Sequence, residues 1–446
     1  MLKDHQSLPM RTDQGKEIEH FFFKLYKKLF FVAVKWNTFE SFFYQTIFLT
    51  HQVCLFLWCD RTVYGKVGSL FAFSYMIVMI LLGGIEGGLI PFFQQFSSSK
   101  KIFKKFLELT IIRHLLIIFF CVCFGACIVS FYMPKTFSVT TLFLVALFII
   151  TESTKKLFKH LLYLAFYNKY TALVEIVQLI LYVSTIWILY FFGIPFCIPL
   201  FFLPFIILSF FSSLMYWKLI NHYYQTLDDT PFTETQELPS FIVVLKIRAA
   251  VLINQICRSL FSGNCIVPLF ALYAGFTKAG TMTFIHYLTN TVTFFLYKIC
   301  IPPAEALLSR IHYFSTATQY HALRLVLTLF AVLTAILGIF LFFNAHSIAT
   351  LFGYSLPTKT DLFLFFFFIH LLETMFMVYE KFFLVRKKIV FLTVGNLITC
   401  AIIFFITKAT LPFTTMILGC FFIRFLFFLL LSIMIIISKK GSRSSF

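Results

Sequence analysis

The stretch GGIEGGLIPFFQQFSSSKKIFKK (83–105) ends a long apolar run with four glycines and a glutamate, then passes through a proline into a patch with four lysines. Interior glycines weaken a soluble core helix, and a plain membrane anchor excludes a glutamate. The two belong together in a polytopic membrane protein. There, glycines let neighbouring helices approach closely, an acid in the span faces a polar partner or cavity, and lysines collect in a loop on one side of the bilayer.

Composition supports this at the scale of the chain. Of 446 residues, 60% are hydrophobic, 66 are Phe and 12% are charged, and the mean hydropathy is +0.91. Such runs as LFLVALFII (142–150) and FLFFLLLSIMIIIS (425–438) are continuous, without the alternation of a β-barrel strand. Lipid offers no partner to backbone amides, so these runs are helices. The formal charge of +19 is spread over short loops and forms no aromatic-interleaved basic patch, so no nucleic-acid partner is expected. The opening KLYKKLFFVAVKW (24–36) lacks a cleavage-site pattern. The 11 cysteines lie in or beside apolar segments with no CxxC and no zinc spacing. No metal or cofactor is expected.

With about 20 apolar residues per span, twelve helices are expected: 37–58, 66–90, 106–130, 137–155, 170–192, 194–217, 243–272, 280–302, 321–343, 361–384, 388–407 and 412–437. The polar stretch NHYYQTLDDTPFTETQELPS (221–240) divides them six and six. The expected organisation is an amphipathic N-terminal segment (1–35), an N-lobe (36–220), a linker (221–240), a C-lobe (241–438) and a basic tail (439–446). Twenty-eight Lys and Arg fall on the side of the termini and six on the other. The positive-inside rule therefore places both termini in the cytoplasm of a multi-pass protein of the cell membrane. The halves align weakly at an offset of 212: Gly68 meets Gly280, Lys66 meets Lys278, Pro91 meets Pro303 and Glu86 meets Lys298. A six-span repeat keeps its orientation, so an axis along the membrane normal relates the lobes.

Ionisable groups in an apolar bundle are the functional pointers. Asn37, Ser41 and Gln45 share one face of the first span, beside Glu40. Asn254, Arg258 and Ser262 repeat that spacing on the seventh. Arg258 lies near the midplane and is expected to line a water-filled cavity. Glu86 and Lys298 are expected to pair across a central cleft, and His370 with Glu373 on the tenth span form a candidate site for ion coupling. Spans four, six and nine read as nearly free of mid-membrane charge, and Glu40, Glu108, Glu152, Glu175 and Glu380 lie near helix ends, within reach of the cytoplasmic interface. No phosphate-binding glycine loop, HExxH or GxSxG motif occurs, and the non-cytoplasmic loops are short. No catalytic residue is assigned.

DRTVYGKVGSLFAFSYMIVMILLGGIEGGLIPFF (60–93), ALYAGFTKAGTMTFIHYLTNTVTFFLYKICIPPAEALLSR (271–310), LAFYNKYTALVEIVQLILYV (164–183) and KKIVFLTVGNLITCAIIFF (387–405) resemble the polysaccharide and lipid-linked-oligosaccharide flippases. These belong to the multidrug/oligosaccharidyl-lipid/polysaccharide (MOP) exporter superfamily, which also holds the multidrug and toxic-compound extrusion (MATE) transporters. The resemblance implies an all-α integral membrane fold with twelve transmembrane helices in two pseudo-symmetric six-helix lobes. It also implies alternating access to a cavity lined by spans 1, 2, 7 and 8. The expected activity is flipping of a lipid-linked saccharide or another amphipathic substrate by a monomer in contact with membrane lipids. Arg258 and Lys298 would bind its anionic head, and Glu86 and Glu40 would counter-charge them or take protons. Flippases of lipid diphosphates often carry bases in both lobes, whereas here the first lobe offers acids. That leaves open a MATE-type cation-coupled multidrug exporter. A third class, an integral-membrane glycan-processing enzyme, calls for a long polar loop with paired carboxylates, and none is present.

Overall fold

The computed structural model describes residues 13–82, 84–85, 88, 90–97, 99–132, 138–227, 241–259, 267–268, 271, 275–311, 314–351, 376–384, 389–408, 422–423, 426–427 and 429–430. Among them there is no strand. The main helices are α1 (Asp13–Trp58), α2 (Arg61–Leu81), α3 (Lys100–Phe106), α4 (Arg113–Tyr132), α5 (Val139–Leu164), α6 (Asn168–Phe191), α7 (Ile198–Thr226), α8 (Phe241–Ser259), α9 (Phe276–Arg310), α10 (Thr316–Leu351) and α11 (Ile389–Lys408). Among the described residues, five helical stretches are long and apolar enough to cross a membrane: Arg61–Leu81, Lys100–Val129, Asn168–Phe191, Ile198–Thr226 and Ala317–Ile336.

Helix ends follow local chemistry. Asp60 caps α2 by accepting from the amides of Thr62 and Val63 at 2.9 and 3.1 Å. Ser138 caps α5 through the Thr141 amide at 3.2 Å. Gly193 closes α6 at φ 86°, and the next amide, Ile194, bonds back to the Leu189 carbonyl. The α5–α6 turn places a non-glycine residue, Phe166, at φ 62°. It makes the same closure, with the Tyr167 amide on the Leu162 carbonyl. Between α3 and α4 the chain winds as a π-helical turn, Leu107–Ile112.

Several boundaries depart from expectation, with α7 running to Thr226, inside the expected linker, α9 to Arg310 and α10 to Leu351; two departures bear on the site. α1 starts at Asp13, so most of the expected N-terminal segment is continuous with the first span. No proline interrupts it, and one buried stripe (Phe22, Tyr26, Phe30, Ala33, Asn37, Ser41, Gln45, Gln52 and Leu55) runs its length. α5 continues to Leu164, nine residues past the expected end, because its buried face continues through Leu157, Leu161 and Leu164.

The chain forms two compact units. The first comprises residues 1–55, 89–239 and 294–339; the second comprises 56–88, 240–293 and 340–446. In the first, α5 packs against α7 through Phe148, whose ring lies 5.5 Å from Phe202 and 5.2 Å from Phe205. In the second, Phe56 stacks on Phe284 with centroids 4.4 Å apart. There α2 and the first half of α9 meet backbone to backbone. A Cβ on Gly65 would come within 1.9 Å of the Phe276 carbonyl oxygen, and one on Gly280 within 2.6 Å of that of Arg61.

Candidate functional site

Six charged side chains of the first unit form one alternating series. Lys298 Nζ lies 2.6 Å from Glu40 Oε1. The same oxygen is 3.3 Å from Lys159 Nζ, which is 2.9 Å from Glu175. Glu175 is 4.0 Å from Lys155, which is 2.9 Å from Glu152. Base and acid alternate from end to end, three of each, so the ladder is formally neutral. All six residues are buried; Glu40 is 1% exposed and Lys298 8%.

Burial of a single charge costs several kcal/mol unless partners replace water. Here each group has them. Tyr163 donates to Glu40 Oε2 at 3.4 Å, and Lys298 donates to the Tyr163 hydroxyl at 3.1 Å. Tyr216 donates to Glu175 at 2.8 Å and Ser209 to Glu152 at 3.3 Å. Gln178 accepts from Lys155 at 3.5 Å and from Ser212 at 2.9 Å, and donates to Ser209 at 3.0 Å. The ammonium groups also face rings: Lys155 over Phe205, and Lys159 and Lys298 over Tyr163.

Helical spacing aligns the contributors. Glu152, Lys155 and Lys159 follow at i, i+3 and i+7 on α5; Ser209, Ser212 and Tyr216 repeat that spacing on α7; Glu175 and Gln178 are one turn apart on α6. Lys298 reaches the ladder from α9 with a second tie. Asn37 donates to the Lys298 carbonyl at 2.8 Å and accepts from Asn168 at 2.9 Å. That carbonyl is available because its helical donor would be residue 302, which is proline and has no N–H.

The structure thus brings together two of the sequence candidates, Glu40 and Lys298. Lys298 pairs with Glu40, while Glu86, its expected partner, lies outside the described residues, as do His370, Glu373 and the side chain of Arg258. Gln45 is buried on α1. Asn254 is buried in the second unit and accepts from Asn396 of α11 at 2.8 Å. Span four is not free of charge; it supplies Glu152, Lys155 and Lys159. Glu40, Glu152 and Glu175 are buried against ammonium groups of the bundle and Glu380 is buried as well, so none of the four is an exposed group at a helix end. Glu108 does remain exposed, 3.9 Å from Lys104. The two lysines of α5 are tell-tale in retrospect, since their spacing from Glu152 puts all three on one face.

No protein-family model matches the sequence, and neither does any curated protein. Solved structures do match its fold. One is the MATE multidrug transporter DinF-BH (13% identity, 91% of this chain and 94% of that chain covered, TM-score 0.64). Another is a multidrug resistance MATE family transporter of the MOP superfamily in an outward-facing conformation (11% identity, 92% and 96%, TM-score 0.59). A third is a MOP superfamily transporter from Pyrococcus furiosus described by a binding pocket of reverse polarity (12% identity, 90% and 95%, TM-score 0.52). The chain has the all-helical fold of the MATE transporters of the MOP superfamily.

Proposed function

We propose that this chain is a MATE-type, cation-coupled exporter of the cell membrane. It works by alternating access of two six-helix lobes (36–220 and 241–438), with both termini in the cytoplasm. The observation that carries this reading is the buried, self-neutralised ladder on a fold shared with transporters. Lys298, which an anionic lipid head would need, is already engaged by Glu40 at 2.6 Å. A group that competes for Glu40 must itself be cationic, and the smallest is a proton. Protonation of Glu40 removes the charge that holds Lys298 and Lys159 close. It leaves two ammonium groups that repel one another, and that repulsion favours release of α9 from α1. A cationic substrate held elsewhere in the transport path then crosses in exchange. This makes the cation-coupled exporter a better fit than the lipid-linked saccharide flippase.

The test is transport by the purified protein in proteoliposomes. Under an imposed proton gradient, a lipophilic cationic dye should move against its own gradient, and Glu40→Gln should abolish this at equal protein content. Dye movement that ignores the gradient, together with translocation of a fluorescent lipid-linked saccharide, would replace the exporter with the flippase.

A further inference from the structure

Two lysines of the first unit stand apart from the ladder. Lys35 on α1 and Lys169 on α6 are exposed, and neither makes an ion pair among the described residues. Lys169 Nζ lies 5.6 Å from the ring centroid of Trp36 and 5.9 Å from that of Tyr170, so two aromatic faces hold it in place. Trp36 meets Phe39 edge-on at 5.8 Å. The two helices are fastened side by side, by Asn168 to Asn37 at 2.9 Å and by the Trp187 indole to His51 Nδ1 at 3.1 Å.

From this clasp an exposed apolar strip runs along each helix. On α1 it is Phe39 and Phe43; on α6 it is Leu173 and Val177, beginning at Tyr170, which is 48% exposed. Trp and Tyr flanked by lysine at the end of lipid-facing strips is the chemistry of a membrane–water boundary. The sharp α5–α6 turn at Phe166 immediately precedes it.

We propose that this clasp binds one anionic phospholipid. Lys35 and Lys169 take the phosphate, Trp36 and Tyr170 flank the headgroup, and the acyl chains lie along the two strips. The lysines of the ladder have carboxylates; Lys35 and Lys169 have none among the described residues and are open to an anion from outside the chain. A soluble phosphate would use the cations and leave the strips uncovered. A zwitterionic lipid would cover the strips and bring its own cation to the lysines. Asn37, which holds the Lys298 carbonyl, adjoins Trp36 in sequence, so the lipid fastens the α1–α6 contact next to the ladder. The assignment depends on membrane embedding and not on what is transported.

The experiment uses the full chain in phosphatidylcholine vesicles carrying brominated phosphatidylglycerol or brominated phosphatidylcholine. The Trp36 signal is the difference between the chain and its Trp36→Phe variant. Brominated phosphatidylglycerol should quench that signal at a lower mole fraction, by about fivefold for each lysine engaged. Lys35→Gln with Lys169→Gln should make the two lipids equal. Each single variant should retain part of the preference, which keeps the test decisive if the double variant fails to fold. Equal quenching by both lipids in the unsubstituted chain overturns the proposal, and so does a preference that survives these substitutions. Loss of the preference on adding inorganic phosphate at constant ionic strength assigns the clasp to a free anion and overturns the lipid. No transport is measured, so failure of the exporter reading leaves this result intact.

Discussion

Glu40 meets two ammonium groups, whereas Lys298 meets a single carboxylate among the described residues. The two single substitutions should therefore differ. Glu40→Gln leaves Lys298 with the Tyr163 hydroxyl, the Phe294 and Tyr163 ring faces and no counter-ion; removing one partner of a buried pair costs about 3–5 kcal/mol. Lys298→Gln leaves Glu40 paired with Lys159 and hydrogen-bonded by Tyr163, so its cost should be the smaller. Thermal unfolding of the detergent-solubilised protein should rank them in that order, with Glu40→Gln/Lys298→Gln recovering part of the loss of Glu40→Gln. The reverse order would show that Lys159 does not support Glu40. This asymmetry was only half legible in the sequence. Glu40 and Lys298 stand out in the sequence as the few ionisable groups within expected spans. Lys155 and Lys159 were not, because near a helix end a lysine reads as a loop charge that sets orientation. Only the longer course of α5, to Leu164, turns them into interior groups.

At the scale of elements, close packing and backbone freedom make opposite demands on glycine. Gly65 on α2 faces the backbone of α9, and a Cβ there would meet the Phe276 carbonyl oxygen at 1.9 Å. Gly125 on α4 has nothing within 4 Å of its own Cβ position. Gly65→Ala must therefore push α2 from α9 and lower the unfolding temperature. Gly125→Ala should leave it unchanged or raise it, since Ala is favoured over Gly in a helix by about 1 kcal/mol. Similar shifts for both would mean that the α2–α9 seam yields freely. α9 carries a second element-scale device in Pro302. Pro302→Ala restores a donor for the Lys298 carbonyl and sets it against Asn37. Asn37→Ala should consequently be less harmful to stability in a Pro302→Ala background than in the unsubstituted chain, a coupling that a thermodynamic double-mutant cycle measures directly. Helix existence and type were legible from apolar runs alone. The proline-freed carbonyl was not, because its acceptor and donor sit on helices 261 residues apart in sequence.

At the scale of the molecule, the sequence carries the all-helical membrane fold in its composition, and its loop charges predict an orientation. Lys155 and Lys159 belong to the ladder, so they drop out of the loop count on the side of the termini, where twenty-eight bases had been assigned against six. The bias remains large, because the N-terminal segment (seven bases) and the α2–α4 connection through Arg113 (five) supply much of it. With the termini in the cytoplasm, as the bias predicts, Glu40, Lys159, Glu175 and Lys298 would lie toward the cytoplasmic side of the bilayer, since each lies near the end of an expected span. A proton that reaches the ladder would then exchange with the cytoplasm in the state where that side is open. Single cysteines introduced at Lys100 and Lys387 in a cysteine-free background should resist a membrane-impermeant maleimide in intact cells and react once the membrane is permeabilised. A cysteine at Lys135, on the sparsely charged side, should react without permeabilisation. Reaction of the first two in intact cells would invert the topology, move the ladder to the outer half of the bilayer, and assign proton entry there to the outside.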